Sequence, residues 1–304
     1  MREHLRHLPY IKLRDESHRP EKHKLWAKDG VLYFSPSSTS KPVYPPNYQD
    51  ATHKPFLGAT YYIKEDSGYF DVYDFEGKWE LTAFTGGAAL QYCVNAIHDI
   101  GKGGRVVCSE GTFDVSGVTL PTYIKSLTIE GQSGYGKSYY ETGTYFKCGG
   151  SICVQTSPVE DERSAYGLVF KRINFTGPGT VVSDSKALLL YNTDVCLVEE
   201  CSFFQWHYGI YASYYGSTYP DSEVPGKLWI RECEFAEGHD THIYMDRQTQ
   251  NYVVGCMFES FGTGYRCIRV GNSFKIRIQS NELNFPSSNC TELIKLECVV
   301  GGPY

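Results

Sequence analysis

No stretch of the 304 residues approaches the roughly 18 consecutive apolar positions that a membrane-spanning helix needs, so no membrane insertion is expected. The opening MREHLRHLPYIKLRDESHRP is charged where a secretory leader has its apolar segment, which argues against classical export. Eleven cysteines include no Cys-x-x-Cys pair, and the zinc-ribbon and thioredoxin-like readings fall with it. Basic residues do not cluster beyond position 28, which removes the electrostatic footprint of a nucleic-acid binder. Methionine is scarce, and helix-like apolar periodicity is confined to 88–100.

What is abundant points one way. Thirty glycines, 25 tyrosines and 16 phenylalanines favour an all-β chain rich in turns. Residues 1–28 carry eight Lys/Arg against four Asp/Glu, so a net −6 overall leaves −10 for the remainder: a basic arm on an acidic body. SPSSTSKPVYPPNY (35–48) reads as an extended proline-rich stretch, and YFDVYDFEGKWEL (69–81) alternates like a strand or hairpin. These place an anchor and docking region at 1–82 and the main domain at 83–304.

The main domain repeats. Cys201, Cys233, Cys256 and Asn281 align at spacings of 32, 23 and 25, each followed two residues later by Phe203, Phe235, Phe258 or Leu283. Ile173 and Phe175 fall into the same register 28 residues earlier, and Phe170, Val198, Ile230, Val253 and Ile278 lie three residues upstream of each aligned position. A second strand follows in each repeat, carrying Ile210, Ile243, Ile268 or Ile294. Strand pairs recurring at this interval cannot each bury an apolar face alone, and stacking them into a solenoid does so. Equivalent positions then lie about 4.8 Å apart. Cys201, Cys233 and Cys256 are expected to form an internal column of thiols, because in-register side chains run parallel and do not bridge easily. Cys267, Cys290 and Cys298 are better placed for disulfides. Lys171/Arg172, Glu199/Glu200 and Arg231/Glu232 should pair across neighbouring coils as structural charges.

AALQYCVNAIHDI (88–100), then GKGG, a strand ending in EGTFDV and a later one ending in IEGQ resemble the entry of the pectate-lyase-like right-handed parallel β-helix superfamily. In organisation the chain resembles the viral tailspike and fibre proteins of that superfamily. The resemblance covers roughly residues 84–300. It implies a right-handed single-stranded parallel β-helix of about seven or eight coils, capped by a short N-terminal helix and preceded by an extended arm. One departure is that Phe84, Thr85 and two glycines stand where an acidic pair often precedes the helix.

Carbohydrate cleavage needs convergent carboxylates, one to protonate the leaving oxygen and another to activate water or attack. Asp194, Glu237, Asp240 and Asp246 sit in or beside repeat turns and are the catalytic candidates. YNTD (191–194) and GHD (238–240) are similar to elements of polygalacturonases, but no Asp-Asp pair exists and Asp240 replaces a glycine. HDTH (239–242) is a poor metal site, since alternation sends His239 and His242 to opposite sides; no metal and no cofactor are expected. Arg269 is an outward base without an acidic cluster.

The 32-residue spacing exposes an insertion within YASYYGSTYPDSEVPG (211–226). Phenols there present flat apolar faces with a polar handle, which suits stacking on pyranose rings. Trp206, Tyr208, Tyr211, Tyr214, Tyr215 and Tyr219 are the glycan-binding candidates; contact with a neighbouring subunit is the rival explanation. The reading favoured is a virion surface tailspike- or fibre-like homotrimer, attached to the particle through residues 1–50 and binding a host surface polysaccharide. A secreted extracellular polysaccharide lyase or glycoside hydrolase is the alternative, and a purely structural β-helix subunit the second.

Overall fold

The computed structural model describes residues 59–132, 143–160, 162–216, 226–259, 265–273, 275–284 and 290–296, together with the backbone pairing of three strands before them. The chain divides into two compact units, Met1–Pro55 and Phe56–Tyr304. In the first, His23–Lys28, Val31–Pro36 and Lys41–Pro42 form a three-stranded antiparallel sheet, so part of the stretch read as an extended arm is paired.

The second unit begins with an antiparallel meander, Ala59–Asp66, Tyr69–Asp74 and Trp79–Ala83. Its first strand also pairs in parallel with Gly104–Cys108. The hairpin that composition assigned to the docking region therefore belongs to the edge of the main domain, and the boundary lies between Pro55 and Phe56 rather than at 82/83. The helix Gly86–Ile100 follows. Thr85 Oγ1 caps it by accepting the Ala88 N–H at 3.1 Å, and left-handed Gly101 ends it. Ala89, Leu90, Cys93, Val94 and Ile97 form its buried face. A Cβ on Gly86 would come within 2.5 Å of Phe113 Cβ, so a glycine at the first helical position lets the helix sit down on the first coil.

Seven coils follow among the described residues, each contributing one short strand to three parallel sheets. Sheet 1 runs from Gly104–Cys108 to Ile276–Gln279, sheet 2 from Gly111–Asp114 to Glu282–Asn284, and sheet 3 from Val118–Leu120 to Cys290–Leu296. The chain is a parallel β-helix.

A single left-handed residue turns sheet 1 into sheet 2 on five successive coils: Arg172, Glu200, Glu232, Gly255 and Ser280, with φ between 50° and 66°. The next residue points inward, which puts Cys201, Cys233 and Cys256 in one column. Each thiol donates to a carbonyl one coil back, Phe170 O, Val198 O and Ile230 O, at 3.6–3.8 Å. Asn281 fills the same slot and makes the equivalent bond to Val253 O at 3.0 Å. All three thiols are buried and unbridged, as expected. Cys267 is buried, whereas the side chains of Cys290 and Cys298 lie outside the described residues.

Two residues further on, phenylalanines stack through the core. Phe70, Phe113, Phe146, Phe175, Phe203, Phe235 and Phe258 follow one another at centroid separations of 4.8–5.8 Å. The expected charge pairs form outside the sheet 1 bend: Glu130 bridges Arg105 and Arg172, and Glu199 bridges Lys171 and Arg231. Burial alone would raise the Glu199 carboxyl, but its two basic neighbours hold it below the usual range.

Candidate functional site

The outward face of sheet 3 is where phenols and charges gather. On its four central strands, Lys186–Tyr191, Tyr208–Ser213, Thr241–Met245 and Tyr265–Val270, an isoleucine or leucine points inward: Leu188, Ile210, Ile243 and Ile268 are in register. The following residue therefore points outward, giving Leu189, Tyr211, Tyr244 and Arg269 in one column, with Lys295 continuing it on the last coil. Tyr211 and Tyr244 stack at 4.5 Å between ring centroids, 25° from parallel. Tyr208 stands edge-on to Tyr211 at 5.3 Å.

Charges frame these rings. Lys186 Nζ lies over both Tyr208 and Tyr211, at 5.3 and 5.2 Å from their centroids, and is paired with Asp184 at 2.7 Å. Arg269 lies over Tyr244 at 5.3 Å. Asp240 Oδ2 accepts from the Tyr208 hydroxyl at 2.9 Å, while its Oδ1 meets Arg266 Nη1 at 3.1 Å and accepts from Thr241 Oγ1 at 3.0 Å. Burial pushes the Tyr208 and Tyr211 phenols up, and the hydrogen bond to Asp240 adds to the effect at Tyr208. Both remain neutral hydroxyls at any physiological pH. The face thus offers half-buried aromatic planes rimmed by hydroxyls, carboxylates and cations, the chemistry that packs on a sugar ring and bonds its hydroxyl groups.

The predicted glycan contacts divide. Tyr208 and Tyr211 lie on this face. Tyr215 is 46% exposed, its ring edge-on to Tyr191 at 5.7 Å. Asn192 clamps it to the neighbouring coil, accepting from Tyr215 N at 2.6 Å and donating to Tyr215 O at 2.8 Å. Trp206 is not a surface platform: it is 2% exposed and donates from Nε1 to Phe175 O at 3.1 Å. The bend after sheet 2 turns it inward, where an indole fills the corner and its N–H finds a carbonyl. Tyr214 is buried too. Tyr219 lies outside the described residues.

The four candidate carboxylates lie at three different places around the coils, with Glu237 and Asp240 sharing one bend. Asp194 opens a sheet 1 strand beside Arg163, at 3.4 Å. Glu237 lies in the bend between sheets 2 and 3 and accepts from Gln205 Nε2 at 3.0 Å. Asp240 and Asp246 stand at opposite ends of the strand Thr241–Met245, on the order of 15–20 Å apart along an extended chain and well beyond the roughly 5–10 Å of a glycosidase pair. Burial raises the Asp246 carboxyl, against the opposing pull of nearby Arg247. His242 points into the core between Phe235 and Phe258, with its Nε2 unpartnered. His239 stays outside that core with its ring 5.5 Å from His207, and no metal-holding cluster occurs among the described residues.

Sequence reasoning missed Lys186, Tyr191, Tyr244 and Arg266. A signal for the column was present. The residue after each aligned isoleucine reads Tyr211, Tyr244, Arg269, Lys295, an outward series as regular as the inward one.

No family model matches the chain, and no curated protein matches it. Its fold is similar to that of the tailspike protein of Acinetobacter phage vB_ApiP_P1. The likeness has a TM-score of 0.44 at 16% identity, and it covers 72% of this chain and 43% of the tailspike, so the chain spans less than half of that protein's length.

Proposed function

We propose that this is a virion surface protein of tailspike or fibre type that binds a host surface glycan on the outward face of sheet 3, with residues 1–50 attaching it to the particle. The observation carrying the reading is the stacked Tyr211–Tyr244 pair with Tyr208 edge-on, held half-buried on a regular outer column. A solvent-facing stack of this kind has no core to fill, and its rings match the apolar faces of pyranoses in area and polarity. Binding without cleavage is favoured because Asp240 is engaged by a phenol, a hydroxyl and a guanidinium, and Glu237, in the same bend, is engaged by Gln205.

Assembly as a homotrimer is part of the proposal. On the outer face of sheet 1, Val169, Leu197, Trp229 and Tyr252 fall in one register, and Trp229 is 42% exposed. An apolar stripe along one side of a solenoid suits side-by-side packing of copies. The test is binding of the purified full chain to a panel of bacterial surface polysaccharides, with assays for reducing-end and unsaturated products and light scattering for mass. Saturable binding by a trimer without product release is expected. Product release would replace the reading with a lyase or hydrolase, and a monomer that binds nothing would overturn it.

A further inference from the structure

We infer that Cys148 and Cys153 form a redox couple, a modification site at which hydrogen peroxide oxidises two thiols to one disulfide across the bend from sheet 2 to sheet 3. Cys148 directly follows the sheet 2 strand Thr144–Lys147, and Cys153 is the second residue of the sheet 3 strand Ile152–Thr156, so the two flank a single bend of the second coil. Both thiols are buried and unbridged. The Cys148 sulfur lies 3.5 Å from the Ser116 hydroxyl, 3.5 Å from Gly150 O and 3.4 Å from Ile152 O, the carbonyl of the residue before Cys153. The Cys153 thiol hydrogen-bonds to the same sulfur. Ser116 and Gly149 are exposed, which leaves Cys148 one layer beneath solvent and within reach of a small oxidant.

The bend allows the bridge to close. From hydrogen-bond contact the sulfurs must approach to the roughly 2.05 Å of an S–S bond. A Cβ on Gly149 would meet nothing within 4 Å, and one on Gly150 would meet only Ser116, at 3.8 Å, so the two glycines stand clear of the neighbouring coils and take up that movement. Cys201, Cys233 and Cys256 lack this freedom, since each sits on a different coil and the strand ladders fix the step between them. Chemistry divides the roles. The hydrogen bond from Cys153, with those from Ser116 and the Gly150 backbone, outweighs burial and holds the Cys148 thiol down at about 6, whereas burial and the shared contact push Cys153 up. The Cys148 thiolate attacks one peroxide oxygen, the O–O bond breaks, and the sulfur becomes a sulfenic acid as the other oxygen leaves as hydroxide. The Cys153 sulfur then attacks the sulfenic sulfur; the S–O bond breaks, the S–S bond forms, and the Cys153 proton leaves with the hydroxyl as water. Two electrons pass from the thiols to the peroxide, and the bridge ties sheet 2 to sheet 3 on the second coil.

The experiment treats the reduced, folded full chain with hydrogen peroxide, alkylates the remaining thiols and maps the peptides by mass spectrometry. The expected result is a loss of about 2 Da that a dithiol reductant reverses, with Cys148 and Cys153 recovered in one bridged peptide. In Cys153→Ser the sulfenic acid has no resolving thiol and is trapped at Cys148 by dimedone, while in Cys148→Ser the same exposure leaves Cys153 a free thiol. Thermal unfolding near the wild-type temperature shows that the variants are folded. Wild-type chain in which Cys148 and Cys153 stay reduced, whether or not other cysteines oxidise, overturns the site independently of the variants. A sulfenic acid trapped at Cys153 in Cys148→Ser overturns the roles assigned to the two sulfurs. None of these readouts depends on glycan binding.

Discussion

Two aromatic columns run through the same coils. Inside, Phe175, Phe203, Phe235 and Phe258 stack at 4.8–5.1 Å with planes within 9° of parallel. Outside, Tyr211 and Tyr244 stack at 4.5 Å. The coil repeat imposes the spacing on both, so geometry alone does not distinguish a core from a binding surface. The difference lies in what borders the rings. The phenylalanines meet thiols, aliphatic groups and the buried His242 ring and carry no polar atom of their own, whereas the tyrosines meet Lys186, Asp240 and Arg269 and keep their hydroxyls at the rim. Stacking on the inside stabilises the fold; on the outside it leaves a prepared surface.

The comparison breaks most visibly at Phe203. Truncation to Ala interrupts a fully enclosed stack and should cost about 3–5 kcal/mol, read as a large fall in the thermal unfolding temperature. An unchanged temperature would mean that the inner column does not hold the coils together.

His242 tests the same column through pH. Burial between two phenylalanines lowers its imidazole to about 3, below the value in the unfolded chain. Its contribution to stability is therefore present above about pH 6.5 and is lost as pH falls toward 3, because the unfolded state takes up a proton that the folded state refuses, with a slope near 1.4 kcal/mol per pH unit. His242→Phe should flatten that part of the stability curve. An equally steep acid loss in the variant would assign it elsewhere.

At Tyr211 and Tyr244 the expected effects reverse. Each change to Ala should weaken glycan binding by about tenfold, equivalent to about 1.4 kcal/mol, and shift the unfolding temperature far less than Phe203→Ala does. Trp206→Ala is the control: a residue that looks like a sugar platform in sequence should behave as a core residue, with lost stability. The smallest effect is at Asp246. Its carboxyl is raised by burial, so the charged form costs stability above its folded-state pKa, and that cost disappears as pH falls through it. Asp246→Asn should stabilise slightly at neutral pH, by less than about 1 kcal/mol, and remove the pH dependence of that part; a destabilised variant would mean that its bonds to Asn272 outweigh the burial of charge.

Much of the scaffold was legible because burial writes a periodic signature. Cys201, Cys233 and Cys256 with Phe203, Phe235 and Phe258 gave the register, and the helix and its following strands gave the entry. The site was legible only in part. Tyr208 and Tyr211 were found through the insertion, but Trp206 and Tyr214 were misplaced, since a bend can turn an aromatic residue either way. Asp194, Glu237, Asp240 and Asp246 looked equivalent because each flanks a turn, yet only Glu237 and Asp240 share a bend, and Asp194 and Asp246 lie elsewhere.

Sequence by itself determined the repeat, the inward positions and therefore the solenoid, because apolar side chains spaced by one coil have a single way to leave water together. Only the tertiary structure decided which outward residues share a face. Tyr211, Tyr244, Arg269 and Lys295 are separated by 25 to 33 residues in the chain and become neighbours through parallel register, while Lys186 joins them from the start of its strand and Asp240 from a bend whose direction depends on how the corner is packed.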